Sequence, residues 1–194
     1  MGNKNILVIL GHPDSESFCG ALADAYINGA SAAGHTVRVL RLGEMVFNPD
    51  LHHGYSARTP WEPALETAWA DIQWSEHMVW VYPTWWGTIP ALMKGFIDRV
   101  FLPGKAFKYR EKSPLWDKFL KGKSARLITT MDSPLWYNWL VYHNAGHRAM
   151  KHATLKFCGV HPVKITAFGK LRWQNDAALA RKLQAVELLG RNGK

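Results

Sequence analysis

Two cysteines, Cys19 and Cys158, are all that the 194 residues contain. Thiols so few and so far apart cannot build a disulfide framework, and they lack the clustering a zinc site needs. A reducing, cytoplasmic compartment is expected. Long hydrophobic runs are missing as well: the longest near the N-terminus is Ile6 to Leu10, too short for a membrane span or a signal-peptide core. It reads as a buried strand. There is no internal repeat at a period of roughly 20–50 residues and no Ser/Gly-rich or Pro-rich linker, so one domain over residues 1–194 is expected.

Charged residues make up 20% of the chain against 47% hydrophobic, which excludes disordered and fibrous classes. Acid is the scarcer charge: 24 Lys+Arg face 15 Asp+Glu, a formal net charge of +9. The imbalance is local, since residues 1–100 carry 6 basic and 10 acidic groups whereas residues 101–194 carry 18 and 5. An anion-attracting field therefore belongs to the second half. Nucleic acid is disfavoured as a partner, because no zinc-finger spacing, basic-zipper heptad or RNA-recognition aromatic pattern accompanies the charge.

Short apolar runs alternate with longer helix-like segments. Strands are expected at Asn5–Leu10, Thr36–Leu40, Met78–Tyr82, Arg126–Thr130 and Val163–Phe168, with helices over 17–33, 62–75, 90–101, 139–157 and 175–189. The first helix is marked by Phe18, Leu22, Ala25, Tyr26, Gly29 and Ala33 on one face, with Gly34 following as a cap. Ile6–Leu10 and Met78–Tyr82 are nearly continuous apolar runs, as strands covered on both faces require. The pattern implies an α/β, doubly wound, five-stranded parallel sheet of order 2-1-3-4-5, with a ligand crevice at the carboxyl ends of strands 1, 3 and 4.

Three loops leave those strand ends. The first, Gly11 to Cys19, is short, polar and runs into a helix, so its amides, the Ser15 and Ser17 hydroxyls and the His12 ring suit a phosphate. A plain N-cap serine beside a loop histidine explains the same residues equally well. It is neither a dinucleotide fingerprint nor a P-loop. In the second loop, Trp85 and Trp86 lie between Pro83 and Pro90 and must either plug the core or wall a planar ligand; composition alone favours the core. Asp98-Arg99 reads locally as an ordinary surface pair. In the third region His143, His147 and His152 have partial helical spacing, but no Glu accompanies them. No metal is expected there, and a solvated basic helix face with one functional histidine is the better reading.

Together these loops resemble the NAD(P)H quinone oxidoreductase family of flavodoxin-like flavoproteins. The similarity rests on Pro83-x-Trp85-Trp86 followed by Pro90-Ala91-x-x-Lys94-Gly95-x-x-Asp98-Arg99-Val100-Phe101, on the His12 to Phe18 loop, and on Phe47-Asn48-Pro49, Ala106-Phe107, Thr129-Thr130 and Phe157-Cys158-Gly159 in order. The resemblance implies a flavin, FAD or FMN, with NAD(P)H as co-substrate and a quinone or similar flat molecule as acceptor, in a ping-pong hydride transfer. His12, Ser17, Phe18 and Cys19 would hold the flavin phosphate region, Cys19 standing where an asparagine is often seen. Pro83, Thr84, Trp85 and Trp86 would flank the isoalloxazine ring, with Thr129, Thr130, Met131 and Asp132 at its other edge. Met131 and Asp132 replace a usual Gly-Gly, and the Asp132 carboxylate would either oppose charge on the reduced ring or point away. Tyr137 and His143 keep the family's six-residue spacing and its proposed roles of hydrogen-bond donor and charge partner. Phe107, Tyr109 and Trp136 would line the acceptor pocket.

The resemblance also implies a homodimer. A role as ancillary subunit of a potassium efflux system is the alternative, and a one-electron carrier is disfavoured by the basic charge and by Trp85-Trp86. Lys105, Lys108, Arg110, Lys112 and Arg148 are placed to attract the phosphates of NAD(P)H or, peripherally, an anionic membrane surface.

Overall fold

The computed structural model describes residues 2–194. Five parallel strands form the central sheet: β1 (Asn5–Leu10), β2 (Thr36–Arg41), β3 (His77–Pro83), β6 (Ser124–Thr130) and β7 (Val163–Phe168). Their spatial order is β2-β1-β3-β6-β7, the 2-1-3-4-5 arrangement expected. Register brings Leu10 beside Val81, Tyr82 beside Thr129, and Thr130 beside Phe168, so the carboxyl ends of β1, β3 and β6 share one edge. β1 and β3 are buried along nearly their whole length, which is why both read as unbroken apolar runs.

Helices α1 (Phe18–Ala32) and α6 (Asp176–Arg191) cover one face of the sheet; α2 (Pro63–Trp74) and α3 (Ala91–Val100) cover the other. Where α1 crosses α6, each contributes a glycine. A Cβ at Gly29 would lie 2.0 Å from the Glu187 carbonyl oxygen, and one at Gly190 would lie 2.2 Å from that of Tyr26. The helices therefore touch backbone to backbone, closer than any side chain permits. Trp69 and Trp80 are buried in the core; Trp74 carries the Arg38 guanidinium 4.1 Å above its ring.

Three elements differ from the sequence pattern. A small antiparallel hairpin, β4 (Phe107–Tyr109) and β5 (Trp116–Lys118), interrupts the crossover between α3 and β6. The single helix expected over 139–157 is instead three pieces: α4 (Leu135–Leu140), α5 (Ala145–Arg148) and a π-helical segment, Ala149–Lys156. His143 and Asn144 between the first two adopt left-handed φ of 49° and 52°. Asn144 is held there because its N–H donates to Asn138 O and its Oδ1 accepts from Asn138 Nδ2, both at 2.9 Å. In the π segment the Thr154 hydroxyl donates to Ala149 O, five residues back, matching the wider turn.

The third difference is Arg99, which is no surface residue. It is 1% exposed; its Nη2 donates to Glu62 Oε2 (2.8 Å) and Pro60 O (2.7 Å), and its Nη1 to Asn48 O. The indole N–H of Trp61 donates to the Arg99 carbonyl. Asp98 pairs with Lys94 at 2.6 Å instead. One buried guanidinium thus fastens the long segment between β2 and α2, whose own residues form only short turns.

Candidate functional site

The loop after β1 ends in Ser17, which caps α1 by accepting the Gly20 N–H, while the Ala21 N–H returns to Ser17 O. The Phe18 and Cys19 N–H groups are then the unpaired donors of the first turn, and that turn holds no acidic residue. Among the described residues they have no acceptor, which leaves a place suited to an anion. The side chains named from the sequence for this seat divide. His12 Nδ1 accepts the Asp14 N–H, and its ring meets Trp85 edge-on at 5.4 Å. Ser17 Oγ donates to Asp14 O. Cys19 turns inward: its thiol lies 3.2 Å from Thr130 Oγ1, and burial pushes its pKa up to about 11 despite that hydrogen bond. Only its backbone faces the seat. Ser15 is also used, donating to Glu44.

The loop after β3 is a tight turn in which Trp85 and Thr88 exchange backbone hydrogen bonds, with φ of 51° at Trp86 and 73° at Gly87. The Thr84 N–H is taken by Thr130 O at 2.7 Å and that of Trp85 by Thr88 O; the Trp86 and Gly87 amides have no acceptor among the described residues. Both indoles are exposed, Trp86 fully. The core-plug reading is therefore wrong for this pair, because the turn lifts them off the sheet edge.

Behind the turn lies an apolar cavity of about 560 Å³, walled by Trp85, Trp86, Ile89, Pro90, Ala149 and Met150. Lys94 and Thr154 border both this cavity and a neighbouring one of about 260 Å³ lined by Tyr55, Phe107, Tyr109 and Phe157. Phe107 and Tyr109 meet edge-on at 5.3 Å. Trp136 lies elsewhere, on α4 against Tyr137, so the three aromatics named for the acceptor pocket do not converge within one protomer.

Tyr137 packs edge-on against Tyr142 at 5.3 Å, and the neighbouring Tyr137 phenol holds the Tyr142 phenol above its usual pKa. Tyr142 in turn touches the position where a Gly87 side chain would start. His143 is exposed. Sequence reasoning passed over Tyr142 and read His147 only as part of a solvated helix face. His147 is buried, contrary to a solvated helix face; its Nε2 lies 2.9 Å from Thr129 Oγ1, and burial lowers its pKa. With the Gly146 N–H donating to Gly87 O, this contact fastens α5 to the ends of β3 and β6. Spacing could not reveal it, because the partner is 18 residues away on another element.

Met131 is buried and continues the ladder from β6, its N–H donating to Phe168 O. The Asp132 carboxylate accepts the Arg172 N–H at 3.2 Å, so it points toward the turn at Leu171–Trp173. Of the basic residues expected to draw in phosphates, Arg110 is paired with Asp117 at 2.6 Å and Lys105 stacks over Trp61.

The residues present fit a flavin: unpaired helix-terminal amides suit its phosphate, and the raised turn with two unengaged N–H groups suits a polar ring edge. Relatives point the same way. The chain is 28% identical to the mouse protein named ribosyldihydronicotinamide dehydrogenase [quinone], over 82% of this chain and 78% of that one. It is also 28% identical to a Haemophilus influenzae protein named as an uncharacterized NAD(P)H oxidoreductase, over 90% and 88%. Among solved structures, Smu.1420 from Streptococcus mutans superposes with a TM-score of 0.83 at 28% identity, covering 96% of this chain and 98% of that one. Residues 4–189 match the family described by its flavodoxin-like fold, and the chain belongs to that flavodoxin-like family.

Proposed function

We propose that the protein is a flavin-dependent NAD(P)H oxidoreductase that passes hydride from NAD(P)H to a quinone or similarly flat acceptor. One observation carries this reading. The unpaired amides of α1, the Trp85–Gly87 turn and the mouth of a 560 Å³ apolar cavity lie along the shared carboxyl edge of β1 and β3. The names of the relatives support it. When bound, the flavin supplies the capacity to accept and release hydride. The Phe18 and Cys19 amides would hold its phosphate, and the Trp86 and Gly87 amides the polar edge of its ring. Trp85, Trp86 and Met150 wall the space beside them with apolar surface, which excludes water and suits a planar ring. Tyr137, with Tyr142 behind it, and His143 would act as donor and charge partner where negative charge collects.

The protomer also displays Trp86, Leu135, Trp136, Trp139 and Leu140 to solvent, more apolar surface than an isolated protomer normally leaves wet. A homodimer that covers it fits the same reading, and would bring Trp136 toward an acceptor pocket it does not reach within one chain.

Purified protein supplied with FMN and FAD in turn should bind one of them and then oxidise NADH or NADPH in the presence of menadione. Binding of neither, with no menadione-dependent turnover, refutes the reading.

A further inference from the structure

Left-handed backbone is concentrated in two segments that touch. Of the five non-glycine residues with such φ among the described residues, three lie here: Trp86 (51°) in the turn after β3, and His143 (49°) and Asn144 (52°) between α4 and α5. Conformations of this kind persist only where surrounding contacts hold them. For the second segment the holding group is Asn138, which is 3% exposed. Its Nδ2 donates to Asn144 Oδ1 and its carbonyl accepts the Asn144 N–H, both at 2.9 Å. One buried residue thus closes the loop that carries Tyr142 and His143.

That loop grips the turn. The Gly146 N–H donates to Gly87 O at 3.1 Å, and a Cβ at Gly146 would lie 3.0 Å from Thr88 Cα, so backbone meets backbone. The Tyr142 ring lies 3.5 Å from where a Gly87 Cβ would start. His147, the next residue, is anchored to Thr129 near the end of β6. Within the turn, the paired hydrogen bonds of Trp85 and Thr88 fix its shape. Its tilt against the sheet edge depends on contacts from outside, and both of those at Gly87 come from residues 142–146.

We propose that Asn138 and Asn144 are positioning residues for the flavin ring: their side-chain hydrogen bond holds Tyr142 and Gly146 against Gly87, and so aims the unengaged Trp86 and Gly87 N–H groups at the polar edge of the ring. Given the oxidoreductase reading, on which this role rests, donors aimed in advance favour the reduced, more negative ring over the oxidised one. The link therefore raises the potential of the bound flavin.

Wild type is compared with Asn144→Gly, which keeps the left-handed backbone without the side chain, with Asn138→Leu, which fills a similar buried volume without a donor, and with the double variant. In protein free of flavin, hydrogen exchange at the Thr88 and Gly146 amides, both hydrogen-bonded at the turn, should quicken about tenfold in each variant and more than exchange in β1 and β3. In protein loaded with FMN or FAD, whichever wild type binds, the two-electron potential should fall by about 30 mV, a tenfold loss of preference for the reduced form. The double variant should match the single ones, because either substitution breaks the same bond. A merely structural link would lower the unfolding midpoint and leave the potential unchanged. An unchanged potential in the single variants, or shifts that add in the double variant, overturns this role alone. A wild type that binds neither flavin overturns the oxidoreductase reading and this role with it.

Discussion

Replacing Arg99 by Met tests whether a single buried charge orders the segment from Phe47 to Glu62. The guanidinium is 1% exposed and bonds two carbonyl oxygens and a carboxylate whose own side chain is 33% exposed. Removing one partner of a fully buried pair costs about 3–5 kcal/mol. Here the discount is real, since Glu62 can turn to water, but the Asn48 and Pro60 carbonyls lose donors that water replaces poorly. A loss of about 3 kcal/mol is expected, or about 6–12 °C in the unfolding midpoint of a chain this size. Cleavage by protease between Asp50 and Arg58 should rise in parallel. Because Tyr55 lines the groove beside Phe107 and Tyr109, KM for the acceptor should increase more than kcat falls. Glu62→Gln provides the second edge of a double-mutant cycle, with a coupling of about 1–2 kcal/mol expected. Burial raises the Glu62 pKa, but the Asn48 N–H and Arg99 outweigh it and the net shift is downward. The pair's contribution is therefore present above the ordinary carboxylate pKa and lost as pH falls below it. A midpoint change under about 2 °C, or zero coupling, would refute the reasoning.

Two further outcomes follow from the packing. His77 is neutral when folded, with a pKa of about 3 against 6.5, so the unfolded chain binds one more proton between those values and stability falls as pH drops through that window. The slope should be about 1.4 kcal/mol per pH unit steeper than in His77→Gln, as denaturant midpoints across pH 4–6 will report; identical slopes reject it. Gly29→Ala would place a methyl 2.0 Å from the Glu187 carbonyl, forcing α1 from α6 at a cost of about 1–3 kcal/mol. An unchanged unfolding midpoint would show that the crossing is not tight.

The sheet and its order were legible because they follow from local chemistry. Ile6–Leu10 and Met78–Tyr82 are apolar at every position, and only a strand covered on both faces needs that. The three loops at the carboxyl edge followed from topology, since each crossover must leave from the same side. What could not be read was anything set by a distant partner. Arg99 beside Asp98 looks like a surface pair until the 48–62 segment folds over it. His147 looks like one histidine of a solvated stripe until α5 is seen to seat it on Thr129. The helix expected through 139–157 has a helical composition, and it breaks because Asn138 and Asn144 bond each other across a left-handed turn. By itself, then, the sequence determined the α/β sheet, the edge at which the proposed site lies and the residue types found there. The tertiary structure decided which of those residues stay open at that edge and which hold the frame, because burial and hydrogen-bond partners depend on segments that meet only after folding.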